Sequence, residues 1–315
     1  MSSIFFPATE TIRRSFIVFI CFFAMSCNNS DRTAVHDSPS KGSINISIDE
    51  SFRPVLEEHI KMYESDYPDV KIIAHYKPEA DCFKDLIKDS ATRMVIVTRG
   101  LNPREEKYFL DSLHYVPMWN DIASDAITIV VNSKSTDTLF TMDRLKKQLS
   151  GAMGNKQSLV FDGLNETSTV RFAIDSILRG QPLDTGVVKA VKNSREVLEY
   201  VASNVNAIGF VGVSWIGNPE DTAQVNMLKK VKMAWVQCCN SPDSPYVKPT
   251  QMGILSERYP LVRGLYYIVK ENYAGLGTGF ANFLQYERGQ LIFRRAYLGA
   301  RMGFAIRNVR IKEKL

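Results

Sequence analysis

From residue 44 onward the chain alternates short apolar runs with segments of helical period, and this rhythm restricts the fold more than any other feature of its 315 residues. Ile44-Asn-Ile-Ser-Ile48 alternates as a half-buried strand does. Phe52, Val55, Leu56, His59, Ile60 and Tyr63 then fall on one face of a helix. Ser51 is placed to cap that helix, and Pro54 lies in its first turn, where a missing N–H costs little. Residues 70–75 are strand-like, 80–89 read as a helix, and Met94-Val-Ile-Val97 is wholly apolar, as strands buried in parallel sheets are. The same reading predicts a helix over 103–110, a strand over 125–132, a helix over Met142–Leu149 and a strand over Ser158–Phe161. Further on it predicts a helix over 170–178, another capped by Ser194 and running through Val201, and a strand over 207–211. A long apolar strand at 261–269 and one or two amphipathic helices over 280–298 close the series. Strands separated by helices of this length predict right-handed βαβ units, hence an α/β fold with mostly parallel sheets flanked by helices. Gly275-Leu-Gly-Thr-Gly279 lacks the strand–GxGxxG–helix context of a dinucleotide site and reads as a loop before a helix, so no cofactor is expected.

The composition, 45% hydrophobic and 23% charged, is that of a globular protein, and the length suffices for two modest cores. The formal net charge is +5. Basic residues are scattered, and the richest stretch, 301–314, reads as a solvated tail. A nucleic-acid partner calls for a concentrated patch with interleaved aromatics and is not expected. The cysteines at 21, 27, 82, 238 and 239 show no zinc-ligand spacing, so no metal is expected. Cys238 and Cys239 are adjacent, a poor arrangement for a mutual disulfide, and either reaches Cys82 only if the fold brings them together.

The N-terminus reads as an address. Arg13 and Arg14 precede an apolar run from Phe16 to Met25, too short to span a bilayer and fitting a secretory signal. Its end, Ala24-Met25-Ser26-Cys27, resembles the lipobox of bacterial lipoproteins, which implies acylation of Cys27 and removal of what precedes it. Residues 1–27 are thus assigned to a lipoprotein signal. Residues 28–43, polar and rich in Ser and Asp, are assigned to a flexible tether.

Several segments together resemble the phosphate-binding proteins of ABC transporters, in the type II periplasmic-binding fold. They are Ile48-Asp-Glu-Ser51-Phe-Arg-Pro54; Val95-Ile-Val-Thr98-Arg99 with Leu101, Glu105 and Glu106; the strand at 125–132; and Asn165-Glu-Thr-Ser-Thr169 with Phe172. Ala207-Ile-Gly-Phe-Val211, Tyr259-Pro-Leu-Val-Arg263 with Leu265-Tyr-Tyr267, and Phe280, Phe283, Gly289-Gln290 and Gly299 continue the match in order, over residues 44–300. The resemblance implies two lobes joined by two crossover strands, with 44–128 plus 262–315 in one and 129–261 in the other. It also implies a monomer that is not an enzyme, binds a small oxyanion such as phosphate between the lobes, and delivers it to an ABC permease in the inner membrane.

The chemistry of oxyanion capture points to particular residues. Helix N-termini offer unpaired N–H groups, Ser and Thr hydroxyls donate without adding charge, and an arginine holds two oxygens at once. Ligands of open parallel sheets sit beyond the carboxyl ends of the strands. The loops there carry Ser51, then Thr98 and Arg99, then Thr167, Ser168 and Thr169, with Arg171 as a charged clamp. Each has a plainer reading: Ser51 and Thr167 to Thr169 as helix caps, Arg171 as a solvent-facing residue, Arg99 as a partner of Glu105 or Glu106.

The pattern also departs from the family. Ser168 replaces a glycine, Asp162 and Asn165 occupy the stretch where an arginine is expected, and no Asp stands beside Arg99 to accept a proton from hydrogen phosphate. Glu79-Ala-Asp-Cys-Phe-Lys84 stands where a glycine-rich helix start is expected, and its acids would repel an anion if they lined the cleft. A sensor or interaction protein of the cell envelope on the same fold is therefore the alternative function. None of the histidines at 36, 59, 75 and 114 lies in a nucleophile motif, and no catalytic residues are assigned.

Overall fold

The computed structural model of the chain describes residues 37–154, 157–164, 167–238 and 244–303. Cys27, the rest of the signal segment, Asn165, Cys239 and the tail beyond 303 lie outside them. The strands in chain order are β1 (Gly42–Asp49), β2 (Val70–Lys77), β3 (Thr92–Val97), β4 (Met118–Asn132), β5 (Leu139–Phe140), β6 (Ser158–Phe161), β7 (Val188–Ala190), β8 (Ala207–Gly212), β9 (Val231–Met233), β10 (Trp235–Gln237), β11 (Tyr246–Val247), β12 (Val262–Val269) and β13 (Gly299–Ala300).

A mixed sheet runs β2-β1-β3-β12-β4-β8-β6-β7, with β9 and β13 also paired to β4. β1 lies parallel to both β2 and β3, and β6 lies parallel to both β7 and β8. At the centre β12 lies antiparallel to β3 on one side and to β4 on the other, and β4 in turn lies antiparallel to β8. β4 joins the two parallel groups: its residues up to Ala126 pair with β12, and from Ile127 onward they pair with β8. The expected α/β class with mostly parallel strands is thus what the chain adopts.

The core follows from the two apolar faces of these strands. Ile44, Ile46 and Ile48 of β1 pack with Phe52, just ahead of the helix Arg53–Asp66, and with Leu56 within it, while Val95 and Val97 of β3 meet Cys82, Phe83 and Leu86 of the helix Glu79–Lys88 on the other face. Burial on both faces is what makes β3 read as a continuous apolar run. In the second parallel group Phe161 and Phe210 stack with ring centroids 4.4 Å apart. Ahead of β1, Asp37 accepts from Arg93 and the carbonyl of Pro39 from Tyr63, so the residues just before the first strand are tied to the body.

Four local expectations are corrected. Ser51 does not cap the helix Arg53–Asp66, which begins at Phe52 without a side-chain cap; a 3-10 turn at Glu50–Phe52 intervenes, and Asp49 caps it by accepting from the Ser51 amide. Ser194 is the first residue of the helix Ser194–Ser203, and Asn193 is its cap. The helix expected over 170–178 is a short α-helix, Ser168–Phe172, followed by a π-helical turn, Ala173–Ile177. The glycines at 277 and 279 lie inside the helix Leu276–Gln285 rather than in a loop; a side chain at Gly279 would collide with Pro39 and the Tyr63 hydroxyl.

Candidate functional site

The carboxyl ends of β1, β3 and β6 bring their loops to a shared crevice. β1 ends on Asp49, whose Oδ1 accepts from the Ser51 amide at 3.0 Å and the Ser51 hydroxyl at 2.7 Å. The Ser51 Oγ lies 3.1 Å from the Oγ of Ser168, at the start of the helix after β6. Ser168 Oγ in turn accepts from Nη1 of Arg263 on β12 at 2.8 Å. A hydroxyl has one proton to give, and that of Ser51 goes to Asp49, so Ser168 donates to Ser51. The result is a relay from guanidinium through two hydroxyls to a carboxylate, with Ser51 and Ser168 fully buried.

Arg263 is held from behind by Asp125 of β4, Nε to Oδ2 2.8 Å. Gly212, the last residue of β8, leaves room for this pair: a side chain there would press on the Asp125 carboxylate, the Arg263 guanidinium and the Ser51 carbonyl. The Ser214 hydroxyl donates to that same carbonyl at 2.9 Å.

A second group forms where β3 ends. Thr98 donates its amide at 2.8 Å and its hydroxyl at 2.5 Å to Oε1 of Glu79. Arg171 clamps the same carboxylate, Nε to Oε2 at 2.7 Å and Nη2 to Oε1 at 3.2 Å, and also donates to the Thr98 hydroxyl. Burial by itself would raise the Glu79 carboxyl, but the Arg171 guanidinium and the Thr98 donors bring it below the usual carboxylate range.

The other acids of the crevice are shifted the opposite way. Burial raises Asp49 to about 6, with the charge of Glu79 adding to the effect and Arg263 opposing it. Burial raises Glu50 to about 7, against hydrogen bonds from Ser194. Asp125 and Asp162 are also raised by burial, the former opposed by Arg263. Between these groups lies a cavity of about 240 Å³ whose lining includes Asp49, Arg53, Tyr76, Asp162 and Trp215. Each of those five carries a buried polar atom without a hydrogen-bond partner: Asp49 Oδ2, Arg53 Nε, Tyr76 OH, Asp162 Oδ1 and Trp215 Nε1. Among the described residues no group of three or more His, Cys, Asp and Glu side chains is arranged to hold a metal ion.

The expected site residues therefore divide. Ser51 and Ser168 meet directly; Thr98 and Arg171 meet through Glu79; Thr169 donates to Asp162 at 3.2 Å; and Thr167 caps its helix from the cavity wall. Arg99 takes its plainer reading: its guanidinium is engaged by both carboxylate oxygens of Glu105 and lies 3.7 Å over the Phe83 ring. Asp49, Glu50, Asp125 and Arg263 were not among the expected residues. The available signal was a single charge inside an apolar strand, Arg263 in Val262–Val269 and Asp125 at the head of the run 126–131. A buried charge of that kind calls for an equally buried partner.

A family model described as a PBP superfamily domain matches residues 33–288. No curated protein matches the sequence. Among solved structures, a substrate-binding protein of Clostridium perfringens assigned to a phosphate ABC transporter, with phosphate bound, is 20% identical. The match has a TM-score of 0.68 and covers 82% of this chain and 99% of that one. An ABC-type phosphate transport receptor from Vibrio cholerae is 19% identical, with a TM-score of 0.58 over 82% of this chain and all of that one (100%). A single-site variant of the OxyR2 regulatory domain from Vibrio vulnificus is 8% identical, with a TM-score of 0.51 over 78% and 96%. At these identities the likeness is one of fold.

Proposed function

We propose that the chain, which belongs to the PBP superfamily, is an exported solute-binding protein and not an enzyme, taking a small oxyanion, phosphate first among them, for uptake by an ABC permease. In this reading Cys27 carries the lipid anchor that holds a monomer to the envelope, facing the periplasm, and the spacer from Asn28 is shorter than the expected 28–43, because Asp37 and Pro39 are tied to the body and Gly42 opens β1. The lobes are 44–128 with 262–315, and 129–261. The change of partner along β4, from β12 to β8 between Ala126 and Ile127, supports that division.

One observation carries the ligand class: a carboxylate, itself a small oxyanion, is already gripped by an amide, a hydroxyl and a guanidinium at Thr98 and Arg171. Ser51, Thr167, Ser168 and Thr169 complete the proposed ligand set, their hydroxyls turning from their present acceptors to the anion when it binds, with Arg263 added and Arg99 left out because Glu105 occupies it. Ligand capture would join groups from both lobes and so favour the closed form. Isothermal titration of the ligand-stripped full chain in detergent with phosphate, sulfate, arsenate and molybdate tests the reading. Micromolar binding of one is expected; silence from all four would sink it.

The acids Asp49, Glu50, Asp125 and Asp162 favour a second reading, a sensor or interaction protein of the envelope with an altered ligand. Recovery of a permease subunit with the cross-linked protein speaks for the first reading, and recovery of an envelope partner outside transport speaks for the second.

A further inference from the structure

The Glu79 carboxylate is bound as a ligand would be. It accepts four hydrogen bonds, two from Thr98 and two from Arg171, and its side chain is 4% exposed. This donor set, one amide, one hydroxyl and the planar fork of a guanidinium, matches a tetrahedral or planar oxyanion as well as it matches a carboxylate. Glu79 is the first residue of the helix after β2, Thr98 follows the end of β3, and Arg171 comes from the helix after β6. The carboxylate thus fastens the β3 loop to the β6 helix without any solute.

We infer that Thr98 and Arg171 form an oxyanion site whose resident occupant is Glu79, and that a free oxyanion reaches these donors only by displacing it. The inference rests on the proposed oxyanion function and adds to it the residue that sets affinity. A tethered competitor acts at an effective concentration of order millimolar or above. The apparent dissociation constant of a free anion is weakened by the fraction of molecules in which the donors are already taken. Glu79 therefore weakens native binding relative to an unoccupied site and favours solutes that can offer more contacts than a carboxylate does.

The test is calorimetric titration of the full chain and of Glu79→Ala and Glu79→Gln with inorganic phosphate and with sulfate, each variant checked for folding by its circular-dichroism melt. Both variants are expected to bind phosphate at least about tenfold more tightly than the native chain. Arg171→Ala on the Glu79→Ala background is expected to erase the gain, which mere loss of a negative charge would not require. If the native chain binds at micromolar concentration and folded Glu79→Ala binds equally or more weakly, Glu79 is a ligand contact. The inference then falls while the proposed function stands. If only the variants bind, the inference stands and native oxyanion uptake falls; if none binds, both fall.

Discussion

Arg263 and Asp125 sit in register on antiparallel strands and form an ion pair at 2.8 Å with side chains 3% and 0% exposed. A pair so deeply placed adds little net stability by itself, because desolvation offsets most of its attraction, but removing one partner strands the other. Arg263→Ala should therefore cost about 3–5 kcal/mol in urea unfolding. Replacing both residues by Met and Leu should cost less than the single change. A single variant within about 1 kcal/mol of the native protein would show that water reaches Asp125, contrary to its burial.

The serine relay makes a prediction about coupling. Ser168→Ala leaves the Arg263 Nη1 donor without its acceptor, at an expected cost of about 1–3 kcal/mol. Ser51→Ala removes the next hydroxyl of the same chain. A double-mutant cycle on the two should return a coupling of about 0.5–3 kcal/mol, and strict additivity would mean that the hydroxyls do not act through one another.

The raised acids give the crevice a pH signature. Asp49 and Glu50 titrate in the folded protein near 6 and 7, above the ordinary 3.8 and 4.5. A folded value above the unfolded one means that the stability they contribute is fully present below about pH 4 and is lost as pH rises through 6 to 7. The advantage of Asp49→Asn over the native chain should therefore grow between about pH 4 and 6, level off above that and reach about 1–3 kcal/mol, since each tenfold difference in proton affinity between the folded and unfolded chain corresponds to about 1.4 kcal/mol. Glu50→Gln should follow the same course at slightly higher pH. Urea midpoints across that range measure both differences, and a pH-independent offset would place these carboxyls in water.

Anchoring has its own test. Radiolabelled palmitate should enter the native protein and be absent from Cys27→Ala when both are expressed in a lipoprotein-processing host. Equal labelling of the two would end the lipoprotein reading.

The order of strands and helices was legible because it rests on local periodicity. β1 alternates, and β3 and β8 are short apolar runs between helical segments; each of the three forms a strand of the sheet. Where periodicity is silent, the reading stopped short. β4 begins at Met118, well before the strand expected from Asp125, because Trp119, Asn120 and Asp121 pair with β12 on a more exposed stretch of sheet. Ser51 and Ser194 look like helix caps to any local rule, yet both hydroxyls are drawn to acids, Asp49 beside one and Glu50 across the crevice from the other.

The chain's own pattern of apolar repeats was enough to specify an α/β sheet with hydroxyl-bearing loops at its strand ends, since neighbouring residues alone set that pattern. The meeting of Glu79 with Arg171, ninety-two positions apart, and of Arg263 with Asp125, across 138, was settled by folding. Such partners are chosen by strand register and loop direction, and no local rule carries either across that separation.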